Sequence, residues 1–393
     1  MTKNDCALVL GGYVNGYSII QELHEKKIEE IILFGYSREL ASYSNKIRKF
    51  VLIDKTPDSL QREIKELHKE YTKIIIFPTD DLQLENLHNI YPEIHSFCFL
   101  PFNPENLLTC LDKYIQYSYC EKLGVPYPKT ILLQKKEDLE NIKTIPFPIL
   151  LKPNKREDLR RKIFRNLKID DSEDLEKAKK NIEGHLESGI KFLASEIIPG
   201  DGSCIYAYVG YRNRKGRILN EWTGKKLSQY PDNFGVFSAA SNEAPEEVLV
   251  QGRTLLNSMD IKGIAQPEFK YDFRDKKYKL MEINLRSMMW HRMGRLSGVD
   301  LHYSQYLDAL GKKVSPQVQV KNKNIHFLYL KHEIRNLIRQ RKYLRTFLKN
   351  IIESDETHFA VYDRKDIKPF LKDSTDIVRS AIRKSLQALR IAG

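Results

Sequence analysis

Short apolar runs alternate with amphipathic stretches over the first hundred residues. The apolar runs are CALVLGG (6–12), EIILFGY (30–36), KFVLID (49–54), KIIIFPTDD (73–81) and SFCFLPF (96–102). Each has the length of a buried strand, whereas the stretches between them, such as SLQREIKELHKEY (59–71), have the apolar spacing of a helix. This alternation predicts βαβ units and therefore a parallel, doubly wound sheet.

The pattern changes where the closely spaced prolines of GVPYPKT (124–130) mark a boundary. Beyond it, FPILLKP (147–153) and IKFLASEIIPGDG (190–202) read as strands on either side of a helix that begins near Ser172. The chain from 206 to 286 then reads mainly as antiparallel strands with one helix. We expect an α/β domain followed by α+β subdomains, one small and one larger.

Polar side chains follow one face of the predicted strand KYKLMEINLRSMMW (277–290). Glu282, Asn284 and Arg286 occupy every second position, and alternate residues of a strand point the same way. The preceding stretch GIAQPEFKYD (263–272) also alternates, and the charged FRDKK between the two is turn-like. Together these segments predict a β-hairpin.

The predicted hairpin brings two carboxylates together. If its turn is centred on Asp275, Glu268 lies directly across from Glu282. Two like charges about 5 Å apart at an effective dielectric of about 20 repel by roughly 3 kcal/mol, so a cation is expected between them. With the Asn284 amide oxygen they form an incomplete oxygen shell of the kind Mg²⁺ prefers when phosphates supply its other ligands. A solvated hairpin whose acids face water is the alternative.

Composition narrows the class of protein. The length of 393 residues predicts two or three domains, and no apolar run approaches the roughly 18 residues of a membrane span. The N-terminus lacks the pattern of a secretory signal, so we expect a cytoplasmic protein. The five cysteines are scattered without a C-x-x-C pair, which argues against a zinc site or a disulfide framework. The formal net charge of +13 indicates anionic partners.

The loop GGYVNG (11–16) after the first predicted strand tests for a nicotinamide cofactor. The dinucleotide fingerprint requires glycine at the first, third and sixth positions and an acid about 20 residues later. Gly11 and Gly16 fit, but Tyr13 occupies the third position and the second strand ends in LFGYS (33–37) without an acid. The sequence therefore argues against this cofactor, although the loop remains a candidate for a small polar substrate.

The order of several motifs resembles the ATP-grasp superfamily, over roughly residues 1 to 310. The motifs are DKY (112–114), GVPYPKT, FPILLKP, ASEIIPGDG (194–202), GIAQPEFKYD and KLMEINLR (279–286). WTGKKLSQYP (222–231) makes the chain most similar to carboxylate-amine ligases of the D-aspartate ligase type. The resemblance implies a Rossmann-like domain over 1–125, a small ATP-grasp subdomain over 126–210 and a large subdomain with a metal site over 211–320. Outside it, the composition of 321–393 predicts a basic helical C-terminal extension.

The resemblance also implies roles for single residues around the nucleotide. Lys113 and Lys152 match the two lysines that hold the ATP phosphates, a role suited to a compact ammonium. Backbone groups near Glu196 and Ile198 match the hinge that binds the adenine edge, where the Glu196 side chain can assist. Asp201 is then placed to reach the ribose. An exposed strand residue is the alternative for Glu196.

The hairpin residues acquire roles in the same way. Glu268, Glu282 and Asn284 match the metal-binding positions, where Mg²⁺ or Mn²⁺ is expected. Arg286 matches the arginine that stabilises charge on the transferring phosphoryl group or the acyl phosphate. His291 and Arg292 fit either a substrate carboxylate or a structural role, and Lys225 and Lys226 fit either the γ-phosphate or solvent.

Two basic segments stay open. KPNKREDLRRKIFRNLKI (152–169) replaces the glycine-rich phosphate flap of many ATP-grasp proteins, so Arg156, Arg160, Arg161 and Lys162 either surround the phosphates or form a basic helix face. In HEIRNLIRQRKYLRTFLKNII (332–352), the apolar positions Leu337, Leu344, Leu348 and Ile351 lie at helical spacing among arginines. Such a helix either packs on its own domain or lies on an anionic membrane surface.

We therefore expect an ATP-dependent ligase that forms a C–N bond. A substrate carboxylate would attack the γ-phosphate to give an acyl phosphate, and an amine would then displace phosphate. Alternatives are a carboxylase or carbamoyl-transfer enzyme, and a non-catalytic nucleotide- or polyanion-binding protein. An amino acid joined to a peptide, to an amino sugar of a cell-surface polymer or to a second amino acid is compatible with the sequence. No nucleic-acid partner is expected, and the oligomeric state, including a homodimer, stays open.

Overall fold

The computed structural model describes residues 3–154, 158, 161, 163–231 and 235–377, and its first domain contains the predicted parallel sheet. The strands are β1 (Lys3–Leu10), β2 (Ile31–Gly35), β3 (Lys49–Leu52), β4 (Tyr71–Phe77) and β5 (Cys98–Phe99), in the order β3-β2-β1-β4-β5. The helices are α1 (Val14–Glu25), α2 (Pro57–His68), α3 (Asp81–Asn89) and α4 (Tyr91–Ile94). All four strand pairs are parallel, as the alternation of strands and helices predicts.

Two helices lead from this domain to a small antiparallel sheet. They are α5 (Leu107–Leu111) and α6 (Lys113–Leu123). Asp112 caps α6 by accepting hydrogen bonds from the backbone N–H groups of Tyr114 and Ile115, and the helix ends at Gly124 with a φ of 67°. The small sheet contains β6 (Thr130–Leu133), β7 (Ile149–Pro153), β8 (Leu167–Ile169) and β9 (Phe192–Glu196) in the order β6-β9-β7-β8, with α7 (Ser172–Glu187) packed on it.

A seven-stranded sheet forms the large subdomain. Its strands are β10 (Ile205–Arg212), β11 (Ile218–Tyr230), β12 (Val236–Ser241), β13 (Gly263–Asp272), β14 (Lys277–Asn284), β15 (Ile325–Leu328) and β16 (Glu356–Phe359). They are ordered β14-β13-β10-β11-β12-β15-β16, and every pair is antiparallel except β15–β16. The helices are α8 (Glu246–Ser258), α9 (Arg292–Leu296), α10 (Leu301–Ala309), α11 (Leu330–Arg339) and α12 (Tyr343–Ile352).

The segment over 321–393 differs from the expected helical extension. It supplies β15 and β16 as well as α11 and α12, so it completes the large sheet. The chain then returns to the first domain, where the buried Asp366 carboxylate accepts hydrogen bonds from Tyr17 Oη (3.1 Å) and the Asn45 backbone N–H (3.0 Å). The difference arises because strands as short as four residues carry little periodic signal. The four-part division of the chain at the expected boundaries stays a prediction.

The hydrophobic cores show which units pack together. Both faces of the parallel sheet share a core with the large subdomain: Leu8 lies in one cluster with Phe269, and Val9 lies in another with Trp222. The small subdomain has a separate core, which includes Ile149 and Phe192. The small sheet is therefore the unit with the weakest apolar attachment to the rest of the chain.

The five cysteines, all of which lie within the described residues, form no disulfide bonds, as the sequence predicts. All five cysteine thiols are free, and four of them are buried. None of the helices within the described parts of the chain is long and apolar enough to cross a bilayer.

Candidate active site

The hairpin of β13 and β14 places the two predicted acids opposite each other. Glu268 pairs with Glu282, and Gln266 pairs with Asn284, which confirms the predicted cross-strand pairing. The register changes at Met281, an extra residue between Leu280 and Glu282 that has no partner on β13.

Because of this bulge, Leu280 and Glu282 point to opposite faces of the sheet although they are two positions apart in β14. On the turn side of the bulge, Phe269 pairs with Leu280, and both side chains are fully buried in the core. Beyond it, Glu282 shares the face of Glu268. Near the turn the ladder is one residue out of step with the expected centre at Asp275, since Asp272 pairs with Lys277. Without the bulge, Glu282 would lie on the same face as Leu280.

The helix α6 holds the bulged strand in place. Tyr117 Oη donates a hydrogen bond to the Met281 carbonyl oxygen (2.8 Å). The Gln116 side-chain amide accepts from the Ile283 backbone N–H (2.9 Å) and donates to the Ile283 carbonyl (3.2 Å). Since Lys113 is the first residue of α6, the same bonds fix its position relative to β14.

Three lysines from different elements surround the two acids. Lys113 Nζ lies 2.5 Å from Glu282 Oε2, and Lys226 Nζ, from β11, lies 3.0 Å from Glu268 Oε2. Lys152, on β7 of the small sheet, contributes a third positive charge to this group. The positive charges of these lysines offset the electrostatic repulsion between the two carboxylates.

The shifted pKa values reflect this concentration of charge. The Lys113 ammonium, with weaker help from Lys152 and Arg286, holds the pKa of Glu282 well below its usual range. Burial opposes the charge on Lys113, but the adjacent Glu282 raises the pKa of that lysine overall. Burial, followed by the charge of Lys113, lowers the pKa of Lys152 to about 8. The positive charge of Lys152 is therefore less well balanced by neighbouring carboxylates than that of Lys113, as expected for a lysine that binds an anionic ligand.

The donor atoms of this site fit a hard divalent cation. Asn284 Nδ2 donates to Glu282 Oε1 at 3.3 Å, which leaves the amide oxygen as the acceptor of that side chain. Two carboxylates and an amide oxygen on one pair of strands match the oxygen preference of Mg²⁺. Across the described ranges, no group of three or more His, Cys, Asp or Glu side chains forms a complete metal site. A cation here would need further oxygens from phosphate or water.

Arg286 connects the hairpin to the first domain. Its Nε and Nη2 atoms donate to Asp81 Oδ1 (2.5 Å) and Oδ2 (3.3 Å), a bidentate ion pair. Asp81 is the first residue of α3, just beyond the carboxyl end of β4. The sequence patterns above do not single out Asp81 as a site residue. The acidic pair at the end of the buried run KIIIFPTDD is a signal for it, because ligands of open parallel sheets bind at that edge.

The predicted nucleotide-hinge residues lie at the turn end of the hairpin. The Glu196 carboxylate accepts from the Lys129 backbone N–H (3.0 Å) and pairs with Arg274 (2.9 Å) and Lys279 (3.4 Å). It is buried in a charge cluster, and is not the exposed strand residue of the alternative interpretation.

The other two hinge residues also have partners within the chain. The Ile198 carbonyl accepts from Lys270 Nζ (2.9 Å), and Asp201 caps the short helix that begins at Gly202 by accepting from the Ser203 backbone N–H (2.9 Å). The structure therefore brings Lys113, Lys152, Glu268, Glu282, Asn284 and Arg286 together and leaves Glu196, Ile198 and Asp201 as a separate group.

The open candidates divide between site and scaffold. Lys226 belongs to the site, whereas Lys225 pairs with Glu243 at 2.9 Å. His291 Nε2 bonds to Gln266 Oε1 (2.9 Å), and burial holds the pKa of His291 well below its usual range. Arg292 pairs with Glu25 at 2.6 Å. His291 and Arg292 thus have structural partners in the chain.

The basic segment is only partly described. Arg156, Arg160 and Lys162 lie outside the described residues. Arg161 donates to the Ser188 carbonyl (2.9 Å), while the charge of Arg165 acts on both Lys113 and Lys152. The sequence did not single out Arg165. Apart from Lys152 itself, it is the described residue of this segment whose charge lowers the pKa values of the site lysines.

The glycine loop of the first domain is packed against its own neighbours. Gly11 has a φ of 92°, and a Cβ at Gly16 would lie 1.9 Å from the Gly11 carbonyl oxygen. Asn15 Nδ2 donates to the carbonyls of Thr79 (2.9 Å) and Ser287 (3.4 Å). The two glycines thus allow a close approach of strand and helix, and the loop is tied to the residue that follows Arg286.

Comparison with known proteins identifies the architecture. No family model matches the chain. A D-aspartate ligase from Enterococcus faecium is 27% identical over 319 residues, which span 75% of this chain and 74% of that protein.

Several solved structures share the fold. The ADP complex of N5-carboxyaminoimidazole ribonucleotide synthetase superposes with a TM-score of 0.63 at 12% identity, over 87% of this chain and 86% of that one. Biotin carboxylase from Campylobacter jejuni gives 0.63 at 15% identity (81% and 74%), and L-amino acid ligase from Bacillus licheniformis gives 0.56 at 14% (81% and 76%). All of these relatives are ATP-grasp enzymes, so the predicted fold and resemblance are confirmed.

Proposed function

We propose that this ATP-grasp chain is an ATP-dependent carboxylate-amine ligase, which forms an amide bond through an acyl phosphate and uses an amino acid as one substrate. The observation that carries the proposal is the pairing of Glu268 with Glu282 inside a ring of three lysines and Arg286. The D-aspartate ligase relative supports an ATP-dependent C–N ligase, and the fold shared with an L-amino acid ligase agrees with that activity.

The lysines provide the contacts for the outer phosphates of the nucleotide. Neighbouring structures were determined with ADP and with an ATP analogue, which supports nucleotide binding by this fold. Lys113 forms an ion pair with Glu282, and Lys226 forms one with Glu268. When the nucleotide binds, these two ammonium groups would exchange the carboxylates for phosphate oxygens, and the Lys152 ammonium would contact the phosphates as well. Ammonium groups suit this task because each is a compact donor of several hydrogen bonds.

The acids would then hold a divalent cation, Mg²⁺ or Mn²⁺. Glu268, Glu282 and Asn284 are the residues with the right donor atoms. When bound, the cation neutralises negative charge that develops on the phosphates. The hinge near Glu196 and Ile198 supplies backbone groups for the adenine edge, and Asp201 lies within the same segment for the ribose.

The chain needs no nucleophile of its own. An oxygen of the substrate carboxylate attacks the γ-phosphorus, the bond to the β-phosphate oxygen breaks, and ADP leaves. The amine nitrogen then attacks the acyl carbon, the carbon–oxygen bond to phosphate breaks, and the nitrogen loses a proton. Arg286, aligned by Asp81, stabilises charge on the transferring phosphoryl group and on the acyl phosphate.

The proposed substrates belong to two chemical classes, carboxylates and amines. The D-aspartate ligase relative supports a small-molecule carboxylate and an amine as substrates. We propose that one of them is an amino acid and that the acceptor is a peptide or amino-sugar precursor of a cell-surface polymer. The carboxylases among the structural neighbours are 12–15% identical, so they support the fold alone.

The test is an ADP-release screen in which amino acids are crossed with candidate amines in the presence of Mg²⁺ and ATP, with products identified by mass spectrometry. Glu282→Gln should abolish ADP formation and leave the circular dichroism spectrum unchanged. The matched control is Glu243→Gln, which also removes a carboxylate that pairs with a lysine, outside the acid pair. Unchanged ADP formation by Glu282→Gln would show that the site is assigned wrongly.

A further inference from the structure

Helices α11 and α12 present an unusual distribution of side chains. Most amphipathic helices of a globular domain turn their apolar side towards the core. Here α11 buries Lys331, His332, Glu333 and Asn336, and the one buried residue of α12 is Asn350. The polar side of α11 therefore faces the protein, whereas α12 turns Asn350 and the half-buried Tyr343 and Phe347 inward.

The inward polar groups have specific partners, so the orientation of α11 is well determined. Lys331 Nζ pairs with Asp373 at 2.7 Å, and Glu333 Oε1 accepts a hydrogen bond from Ser228 Oγ at 2.8 Å. Asn336 Nδ2 donates to the Gln229 carbonyl at 2.9 Å. Rotating the helix to bury its apolar side would break all three contacts and leave buried polar groups without partners.

Five apolar side chains of the two helices are nevertheless exposed to solvent. We define the C-terminal apolar face as five residues of α11 and α12. Their exposed fractions are Ile334 37%, Ile338 73%, Leu344 51%, Leu348 46% and Ile352 76%. Of the four apolar positions at helical spacing in this basic segment, Leu337 and Ile351 are half-buried and Leu344 and Leu348 are exposed, so the segment packs only partly on its own domain. A cluster of exposed Ile and Leu side chains indicates a contact with another apolar phase.

The charges around this face identify the partner. Five exposed basic residues lie on or between the two helices: Arg339, Arg341, Lys342, Arg345 and Lys349. The only acids in the same stretch, 330–353, are the buried Glu333 and Glu353, which lies 3.7 Å from Lys349.

We propose that the C-terminal apolar face and its flanking basic residues form a docking surface for an anionic lipid bilayer. The Ile and Leu side chains would enter the boundary between headgroups and acyl chains, and the basic side chains would contact anionic headgroups. A two-fold contact with a second copy fits less well, because it would bring the same positive charges of both copies together. The proposal rests on this surface alone and is independent of the proposed reaction.

The experiment measures flotation of the full-length chain with vesicles. The probes are vesicles of phosphatidylcholine alone and of phosphatidylcholine with about one third phosphatidylglycerol. We expect binding to the anionic vesicles to be at least about tenfold stronger, and to weaken as added salt screens the charges.

A pair of variants assigns the binding to the face. The double variant Ile338→Gln with Leu344→Gln should weaken binding to the anionic vesicles by about tenfold or more, because both side chains lose their apolar contact with the lipid. Val250→Gln is the matched control, since Val250 is also a helix-surface residue, at 53% exposure, on α8. Thermal unfolding of all variants should match that of the parent chain.

Three outcomes would overturn the proposal. One is equal binding to both kinds of vesicle, and another is undiminished binding by the double variant. The third is a dimer in analytical ultracentrifugation that the double variant converts to a monomer, since a second copy of the chain would then cover the face.

Discussion

If Lys152 holds the nucleotide phosphates as we propose, its lowered pKa should make nucleotide binding sensitive to pH between about 7 and 9. Burial and the neighbouring Lys113 charge lower this pKa from the ordinary 10.5 to about 8. With a pKa of about 8, the ammonium is about 90% populated at pH 7 and about 10% at pH 9. If phosphate binding requires the charged form, affinity falls by about tenfold over this interval, or about 1.4 kcal/mol.

The assay is isothermal titration with a non-hydrolysable ATP analogue at several pH values between 7 and 9. Lys152→Arg is the control, because a guanidinium keeps its charge throughout this range and should flatten the dependence. An affinity that stays constant in the parent chain, or that falls equally in the arginine variant, would refute the assignment of the pH effect to Lys152. Circular dichroism at each pH separates the effect from unfolding.

Three other substitutions test separate parts of the structure. Asp81→Asn should lower kcat about tenfold with little change in the KM for ATP, because it frees the Arg286 guanidinium and leaves the Lys113–Glu282 pair in place; steady-state ADP release measures both constants. Asp272→Asn should lower the free energy of unfolding by roughly 3 kcal/mol at neutral pH, since it breaks a buried pair with Lys279. It should also reduce the loss of stability below about pH 4, because this carboxyl has a lowered pKa and stabilises the fold only while ionised; urea unfolding at pH 7 and pH 3 checks both effects. Gly184→Ala should raise the free energy of unfolding by about 0.5–1 kcal/mol, because a Cβ at this exposed position of α7 meets nothing within 4 Å.

Much of the fold follows from local patterns in the chain. The parallel sheet of the first domain is readable because each buried strand is bounded by an amphipathic helix. The acid pair is readable for a similar reason: alternation along two neighbouring strands determines which residues share a face, so Glu268 and Glu282 can be matched from the sequence alone.

Other features depend on partners that are distant in the chain. Arg286 and Asp81 are 205 positions apart, and neither residue alone indicates the other. The family resemblance places Glu196 beside adenine, yet its carboxylate pairs with Arg274 and Lys279, which approach only when the hairpin turn packs on β9. Local spacing contains no information on such pairings.

The bulge at Met281 and the orientation of α11 escape prediction for a further reason. A single unpaired residue leaves the composition of β14 unchanged, so a regular ladder and a bulged one look alike in the sequence. In α11 the apolar period predicts a helix correctly, but the direction of its apolar side is decided by the partners of Glu333 and Asn336 on the strand beneath.

The attachment of α6 to β14 distinguishes Lys113 from Lys152, the two lysines that we propose for the phosphates. Lys113 belongs to α6, and the Gln116 and Tyr117 side chains of this helix form hydrogen bonds with β14, the strand that carries Glu282. These bonds fix the distance between the Lys113 backbone and the Glu282 backbone. Lys152 belongs to a sheet with a core of its own. If that sheet moved as a unit, Lys152 would move with it while Lys113 kept its distance from Glu282, so the separation of the two ammonium groups would depend on the position of the small sheet.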